Sequence, residues 1–125
     1  MNELTLYHCE ICGNLICMIE DSGVVPKCCG AEMNRVTANT KDAAAEKHVP
    51  VIQREGNSVN IYVGEQPHPM NQMHYIGLIF LLTDSGLYMR RLTPDCAART
   101  VFDIQPDEEI IAVYAWCNIH GLWKS

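Results

Sequence analysis

The chain has 125 residues, 48% of them hydrophobic, and a net charge of −6. That length holds one ordinary domain, or a small one beside a mid-sized one, and the composition is that of a folded globular protein. Residues 1–36 carry two basic and five acidic groups and residues 37–125 carry seven and ten, so neither part has the basic excess that would favour nucleic acid.

The opening stretch "MNELTLYHCE" has neither a basic n-region nor an apolar h-region, so no signal peptide is expected. The apolar runs "YIGLIFLL" and Ile110–Cys117 are eight residues each, well below the about 20 that span a bilayer. These features predict a cytoplasmic protein with no membrane partner. Seven cysteines in a reducing compartment read as thiols or metal ligands rather than a disulfide framework, and the odd number points the same way.

Five of the seven cysteines fall within the first 29 residues. Cys9 and Cys12 form a C-x-x-C pair, and after fifteen residues Cys28 and Cys29 form a second close pair. One such loop brings two sulfurs onto one ion, and two pairs complete a tetrahedron that suits zinc or iron. Gly13 and Gly30 follow cysteines where the chain must turn tightly. A segment of 36 residues builds little core without such a staple, which weighs against merely reduced thiols. Cys17 has no partner at ligand spacing and reads as a free thiol. His8, next to Cys9, points to the other side of a strand and reads as a bystander.

The stretch "TANTKDAAAEK" (37–47) reads as a linker; only "DAAAEK" has helix-forming composition, and Pro50 stops any helix soon after. Beyond it, runs rich in Val, Ile, Tyr and Leu predict strands at 49–53, 58–63, 74–82, 86–92, 99–104 and 109–117, separated by turn chemistry. "SVNIYV" alternates, placing Val59, Ile61 and Val63 on one face. Short strands with frequent turns predict an antiparallel β-sandwich.

Four histidines remain: His48 in "EKHVP", His68 and His74 in "HPMNQMH", and His120 three residues after Cys117 in "CNIHGLW". Pro67 and Pro69 hold His68 in extended chain, so His68 and His74 are loop or strand-edge residues and not an i,i+4 helical pair. Each histidine alone reads as an ordinary core or surface residue. Together with a thiol ending a strand they offer a mononuclear metal site, and spacing leaves the two readings open.

The segments "CEIC", "KCCG", "EKHVPVI", "HPMNQMHYI" and "CNIHGLWK" occur in an order and at spacings that resemble desulfoferrodoxin, the two-iron superoxide reductase family. The resemblance covers essentially the whole chain. It implies a mainly β fold, with a small rubredoxin- or desulforedoxin-like iron-binding domain over 1–36 and an immunoglobulin-like antiparallel sandwich over 37–125. Cys9, Cys12, Cys28 and Cys29 match the ligands of a thiolate-bound iron. His48, His68, His74 and His120 match four equatorial imidazoles of a catalytic iron, and Cys117 its axial thiolate. Glu46 matches a carboxylate that can bind the resting ferric centre, and Lys47 a cation beside the open position. Where the family commonly carries an acidic residue and an aromatic after His74-Tyr75-Ile76, this chain has Gly77-Leu78.

The implied activity is one-electron reduction of superoxide to hydrogen peroxide by an oxidoreductase whose Fe(His)4(Cys) centre is re-reduced by a rubredoxin-like donor, in a homodimer. Five protein ligands leave one position for substrate, and an axial thiolate donates electron density across the metal. The rival readings are a non-catalytic two-centre electron carrier, a zinc-stabilised binding module, and a dismutase. Cys96, in "TPDCAA", reads as a free thiol near a turn.

Overall fold

A computed structural model of the chain describes residues 2–41, 48–64 and 67–125. The helix-forming stretch at 42–47, including Glu46 and Lys47, lies outside the described residues. Twelve strands and no helix occur among the described residues. None of these residues forms a helix long and apolar enough to cross a membrane. The chain divides into two compact units, Met1–Thr37 and Ala38–Ser125.

The first unit is built on β1 (Leu6–His8), β2 (Leu15–Cys17), β3 (Lys27–Cys28), β4 (Ala31–Glu32) and β5 (Asn34–Arg35). A three-stranded sheet has the order β2-β1-β5, and β3 and β4 form a separate two-stranded ribbon. Its core is small: Tyr7, Cys9 and Met33 form a buried cluster with Ile16, Met18, Val25 and Cys28 packed against them, and Leu4 and Leu6 are buried as well. So little apolar burial leaves cross-linking at the cysteines as the main brace of this unit.

The second unit contains β6 (Pro50–Glu55), β7 (Ser58–Val63), β8 (Ile76–Thr83), β9 (Leu87–Arg91), β10 (Arg99–Asp103), β11 (Ile110–Cys117) and β12 (Gly121–Lys124). One antiparallel sheet has the order β10-β7-β6 and the other β12-β11-β8-β9. A three-stranded and a four-stranded antiparallel sheet are the layers of an immunoglobulin-like sandwich, as expected. Val59, Ile61 and Val63 from β7 point inward and pack with Ile79, Leu81, Val113 and Ala115 from β8 and β11. Each Val or Ile so buried contributes about 1.5–3 kcal/mol.

The strand ends differ from expectation where local turns intervene. His74 and Tyr75 precede β8, because Asn71 and His74 close a turn with backbone bonds of 3.0 and 3.2 Å. The composition of β12 does not announce a strand. It pairs with β11 from Tyr114↔Lys124 to Cys117↔Gly121, across a three-residue loop that ends at Gly121 with φ +80°. That left-handed position suits glycine and closes the hairpin. Gly77 falls at a register shift in the β11–β8 pairing, between Trp116↔Leu78 and Cys117↔Ile76. A side chain there would meet the Tyr75 ring at 3.4 Å. Asn39, in the stretch expected to act as a linker, is tied into the second unit: its N–H donates to Leu122 O at 2.9 Å and its carbonyl accepts from Lys124 N at 2.8 Å.

Candidate metal centres

In the first unit the Cys9 carbonyl accepts from Gly13 N, and Cys9 N donates to Asn14 O, both at 2.8 Å. These bonds curl the chain so that Cys12 N points back at Cys9 Sγ, 3.5 Å away. Gly13 at φ +86° and Gly30 at φ +76° take the left-handed turns that follow each cysteine pair. Cys29 itself is left-handed at φ +55°, which turns its sulfur towards that of Cys28.

The result is a compact group in which the ligand atoms of Cys9, Cys12, Cys28 and Cys29 lie within 4.8 Å of one another. Cys12 and Cys28 sulfurs are 3.6 Å apart and Cys28 and Cys29 sulfurs 3.9 Å. Metal–sulfur bonds of about 2.3 Å in a tetrahedron require sulfurs about 3.8 Å apart, whereas a disulfide needs about 2.05 Å. The spacing is that of ligands around an ion.

Protonation supports the same fit. Cys9 is lowered to about 7, chiefly by the Cys12 backbone N–H at its sulfur. Cys28 is raised, and Cys29 is pushed up to about 12, in both cases chiefly because the Cys12 sulfur holds their proton. Four thiolates at these separations repel one another, and a cation supplies the charge that lets all four ionise.

In the second unit the paired ends of four strands converge. His48 stands two residues before Pro50, which pairs with Val63 across β6 and β7. His68 follows β7 and returns its N–H to Val63 O at 3.3 Å. His74 precedes β8, whose first residue Ile76 pairs with Cys117 at the end of β11. His120 sits in the loop between β11 and β12. All five side chains therefore gather at one end of the sandwich.

The four imidazoles follow one another around a closed circuit. Ring centroids are 4.5 Å apart for His48 and His68, 4.6 Å for His68 and His74, and 4.9 Å for both His74–His120 and His120–His48. Neighbouring rings are inclined by 65–86°, while His48 and His74 face each other across the circuit at 6.1 Å. This is a four-cornered circuit of rings whose His48–His74 diagonal is longer than any of its sides. Ligand atoms of His48, His74, Cys117 and His120 lie within 4.8 Å of one another; His68 falls outside that tight set but is the fourth corner of the ring circuit.

The distances fit a metal. His48 Nε2 and His120 Nδ1 are 3.1 Å apart, against about 3.0 Å for two ligands at right angles on bonds of about 2.1 Å. Cys117 Sγ lies 3.9 Å from His120 Nδ1 and is fully buried, whereas His120 is exposed. His68 Nδ1 donates to Pro69 O at 2.7 Å, which places the ring's lone pair on Nε2.

Of the residues anticipated for these centres, Glu46 and Lys47 lie outside the described residues, eight of the nine cysteines and histidines fall into the two groups of possible ligands, and His68 stands beside the second as a corner of the ring circuit. Cys17 is half-buried in β2 and Cys96 is exposed; neither belongs to a group of possible ligands among the described residues. Sequence reading passed over Trp123, whose indole stacks on His48 and whose Nε1–H donates to His120 O at 3.1 Å. An aromatic a few residues beyond a short-spaced Cys/His pair was the available signal.

Fold and donor groups together define a two-centre metalloprotein, with a cysteine-held unit and a β-sandwich carrying a histidine–cysteine centre at one end. The chain belongs to the desulfoferrodoxin family: a family model described as Desulfoferrodoxin matches residues 40–125. It is 38% identical over 122 residues to a desulfoferrodoxin homolog of Archaeoglobus fulgidus, covering 98% of this chain and 96% of that protein. It is 40% identical over 122 residues to a desulfoferrodoxin of Desulfarculus baarsii, covering 98% and 95%. The crystal structure of the superoxide reductase from Treponema pallidum matches with a TM-score of 0.86 at 28% identity, over 100% of this chain and 99% of that one. In a chain of this family and fold, both donor groups fit iron.

Proposed function

We propose that the protein is a superoxide reductase, which adds one electron and two protons to superoxide to give hydrogen peroxide. The observation that carries this reading is the square of four imidazoles with a buried thiol beside it, at a sandwich end where one corner, His120, is exposed. Ferrous iron in that donor set would supply the electron and be restored by an external reductant.

The chain's own residues set the conditions. Neutral imidazoles and one thiolate cancel only one unit of a dipositive charge, so the centre retains an attraction for a small anion. His68, fixed as a ligand tautomer by Pro69 O, and His48, backed by Trp123, keep their rings from rotating as the charge at the centre changes. Cys117, buried at the end of β11, holds its sulfur away from water and from adventitious oxidation. The exposure of His120 gives a diatomic anion a short path to the centre.

Lys47 and Glu46 immediately precede His48 in the chain. Their proposed roles are a local cation that draws the anion in against a net charge of −6, and a carboxylate at the resting oxidised centre. These roles rest on sequence position and family resemblance. A rubredoxin-like donor, a homodimeric assembly and a cytoplasmic location belong to the same proposal. The four-cysteine group would hold a second iron in the first unit.

The deciding experiment is metal analysis with visible spectra of the reduced protein before and after a superoxide pulse. The expected result is about two irons per chain, as two closed donor groups imply, with oxidation of the histidine–cysteine centre, peroxide formed and no dioxygen released. A zinc-only protein, or ferrous centres inert to superoxide, sinks the proposal. Dioxygen release without a reductant would make the protein a dismutase. A spectrum at the histidine–cysteine centre that ignores added cyanide or azide would make it an electron carrier.

A further inference from the structure

We propose that Asn118 is a positioning residue for the histidine–cysteine centre, its side-chain amide standing in for a backbone peptide to clamp the His74 arm onto the loop carrying Cys117 and His120. The inference rests on the reading of that centre as the metal site.

The pairing of β11 with β8 ends at Cys117↔Ile76, one step past the register shift at Gly77. One residue further, Asn118 N donates to Tyr75 O at 3.1 Å, as the ladder would continue. Tyr75 N donates to Asn118 Oδ1 at 2.8 Å, where a regular antiparallel pair would use the main-chain carbonyl. The same amide donates from Nδ2 to Met73 O at 3.0 Å.

This substitution has a geometric consequence. With the side chain holding the ladder, the main chain leaves it at Asn118 and turns, bringing His120 Nδ1 to 3.9 Å from Cys117 Sγ. In a continuing strand, residue 120 would lie about 10 Å beyond residue 117. The second consequence falls on His74. Asn118 binds the residues on both sides of it, Met73 and Tyr75, while Asn71 Oδ1 accepts from Met73 N and His74 N, each at 3.0 Å. The backbone around this ligand is held from two directions.

Few side chains meet the requirement. The group must offer an acceptor and a donor on one plane at a reach of one methylene. Aspartate keeps the acceptor and loses the donor; alanine loses both; glutamine is one methylene too long.

The test uses the full-length iron-loaded protein and does not depend on superoxide. Iron release to an excess of chelator is followed separately through the thiolate absorption of each centre, with the four-cysteine centre as internal control. Asn118→Ala is expected to speed loss from the histidine–cysteine centre about 10-fold, shift its absorption and leave the four-cysteine centre unchanged. The Tyr75 amide should lose its protection from hydrogen exchange. Asn118→Asp, which keeps the bond to Tyr75, should fall between and carries the comparison if the alanine variant does not fold. Val59→Ala, a core truncation remote in sequence from the loop, should lower Tm and keep the wild-type release rate. Wild-type release, absorption and Tyr75 exchange in the Asn118 variants would overturn the proposal, as would equal release from Val59→Ala at matched Tm. A wild-type centre inert to superoxide, with faster release from Asn118→Ala, would leave the clamp standing and remove the reductase reading.

Discussion

The indole of Trp123 lies face to face with the imidazole of His48, 4.4 Å between ring centroids and 16° between planes. The same indole donates from Nε1 to the carbonyl of His120, so one buried side chain steadies two corners of the imidazole square. Trp123→Ala removes both supports. It should lower stability by about 3–5 kcal/mol, as truncation of a buried tryptophan does, and weaken iron retention at this centre about 10-fold or more. Trp123→Phe keeps a stacking face and loses the N–H, so it should recover most of the stability and part of the retention. Urea unfolding and chelator-driven release read the two effects separately; wild-type release in Trp123→Ala would mean that the stack serves the core alone.

The four-cysteine group predicts a different response to metal removal in the first unit. Leu4, Leu6, Tyr7, Cys9 and Met33 are its buried apolar side chains among the described residues, too few to hold a unit of this size unaided. Chelation should therefore abolish amide protection in Met1–Thr37 while the β7, β8 and β11 amides of the sandwich remain protected. Cys12→Ser should act in the same way and leave the absorption of the histidine–cysteine centre unchanged. Persistent protection of β1 and β2 in the metal-free protein would contradict this account.

How much was legible in advance depends on what each segment had to signal. "SVNIYV" announces its strand because period-2 alternation meets a half-buried sheet, and Val59, Ile61 and Val63 are buried as expected. The two-residue strands Lys27–Cys28 and Ala31–Glu32 carry no period at all; cysteine loops and left-handed turns shape them, so pattern reading cannot see them. Gly121–Lys124 is also short, and its signal lay in the loop before it, where a glycine closes a three-residue turn. The four cysteines were legible as candidate ligands by their paired spacing. For the four histidines and Cys117 spacing left a metal site and ordinary residues both open, and the family resemblance singled them out. Trp123 and Asn118, which support those ligands, were not legible, since an aromatic and an amide have many uses.

Glu108 gives the sandwich a pH signature apart from the metal centres. Its buried carboxylate accepts from the Thr83 hydroxyl, from Tyr88 OH at 2.9 Å and from Gln105 N at 2.9 Å. These donors, Thr83 first, hold its pKa down to about 2. A folded-state pKa below the unfolded one makes the contribution complete above about pH 4.5, and lost as pH falls towards about 2. Glu108→Gln exchanges an acceptor oxygen for a donor that faces other donors, so it is destabilised at neutral pH. The gap in urea midpoint between wild type and Glu108→Gln should narrow steadily between about pH 4.5 and 2.5. Because both proteins protonate their metal ligands alike, the difference isolates this group; a gap independent of pH would show that folding does not lower the Glu108 pKa.

Lys47 is the residue through which the proposed reaction should respond to salt. The chain's net charge of −6 opposes an incoming anion at long range, and the opposition is screened beyond about 8–10 Å at cellular ionic strength. The proposal gives the lysine next in sequence to His48 the role of supplying attraction at short range. If the attraction governs capture, added salt weakens it and slows the wild-type reaction. Lys47→Ala should react about 10-fold more slowly at low salt, and its rate should be flat or rise with salt, because only the repulsion is left to screen. Lys47→Arg keeps the charge and should keep the slope. Pulse radiolysis across a salt series measures all three, and an alanine variant with the wild-type rate and slope would remove Lys47 from the capture step.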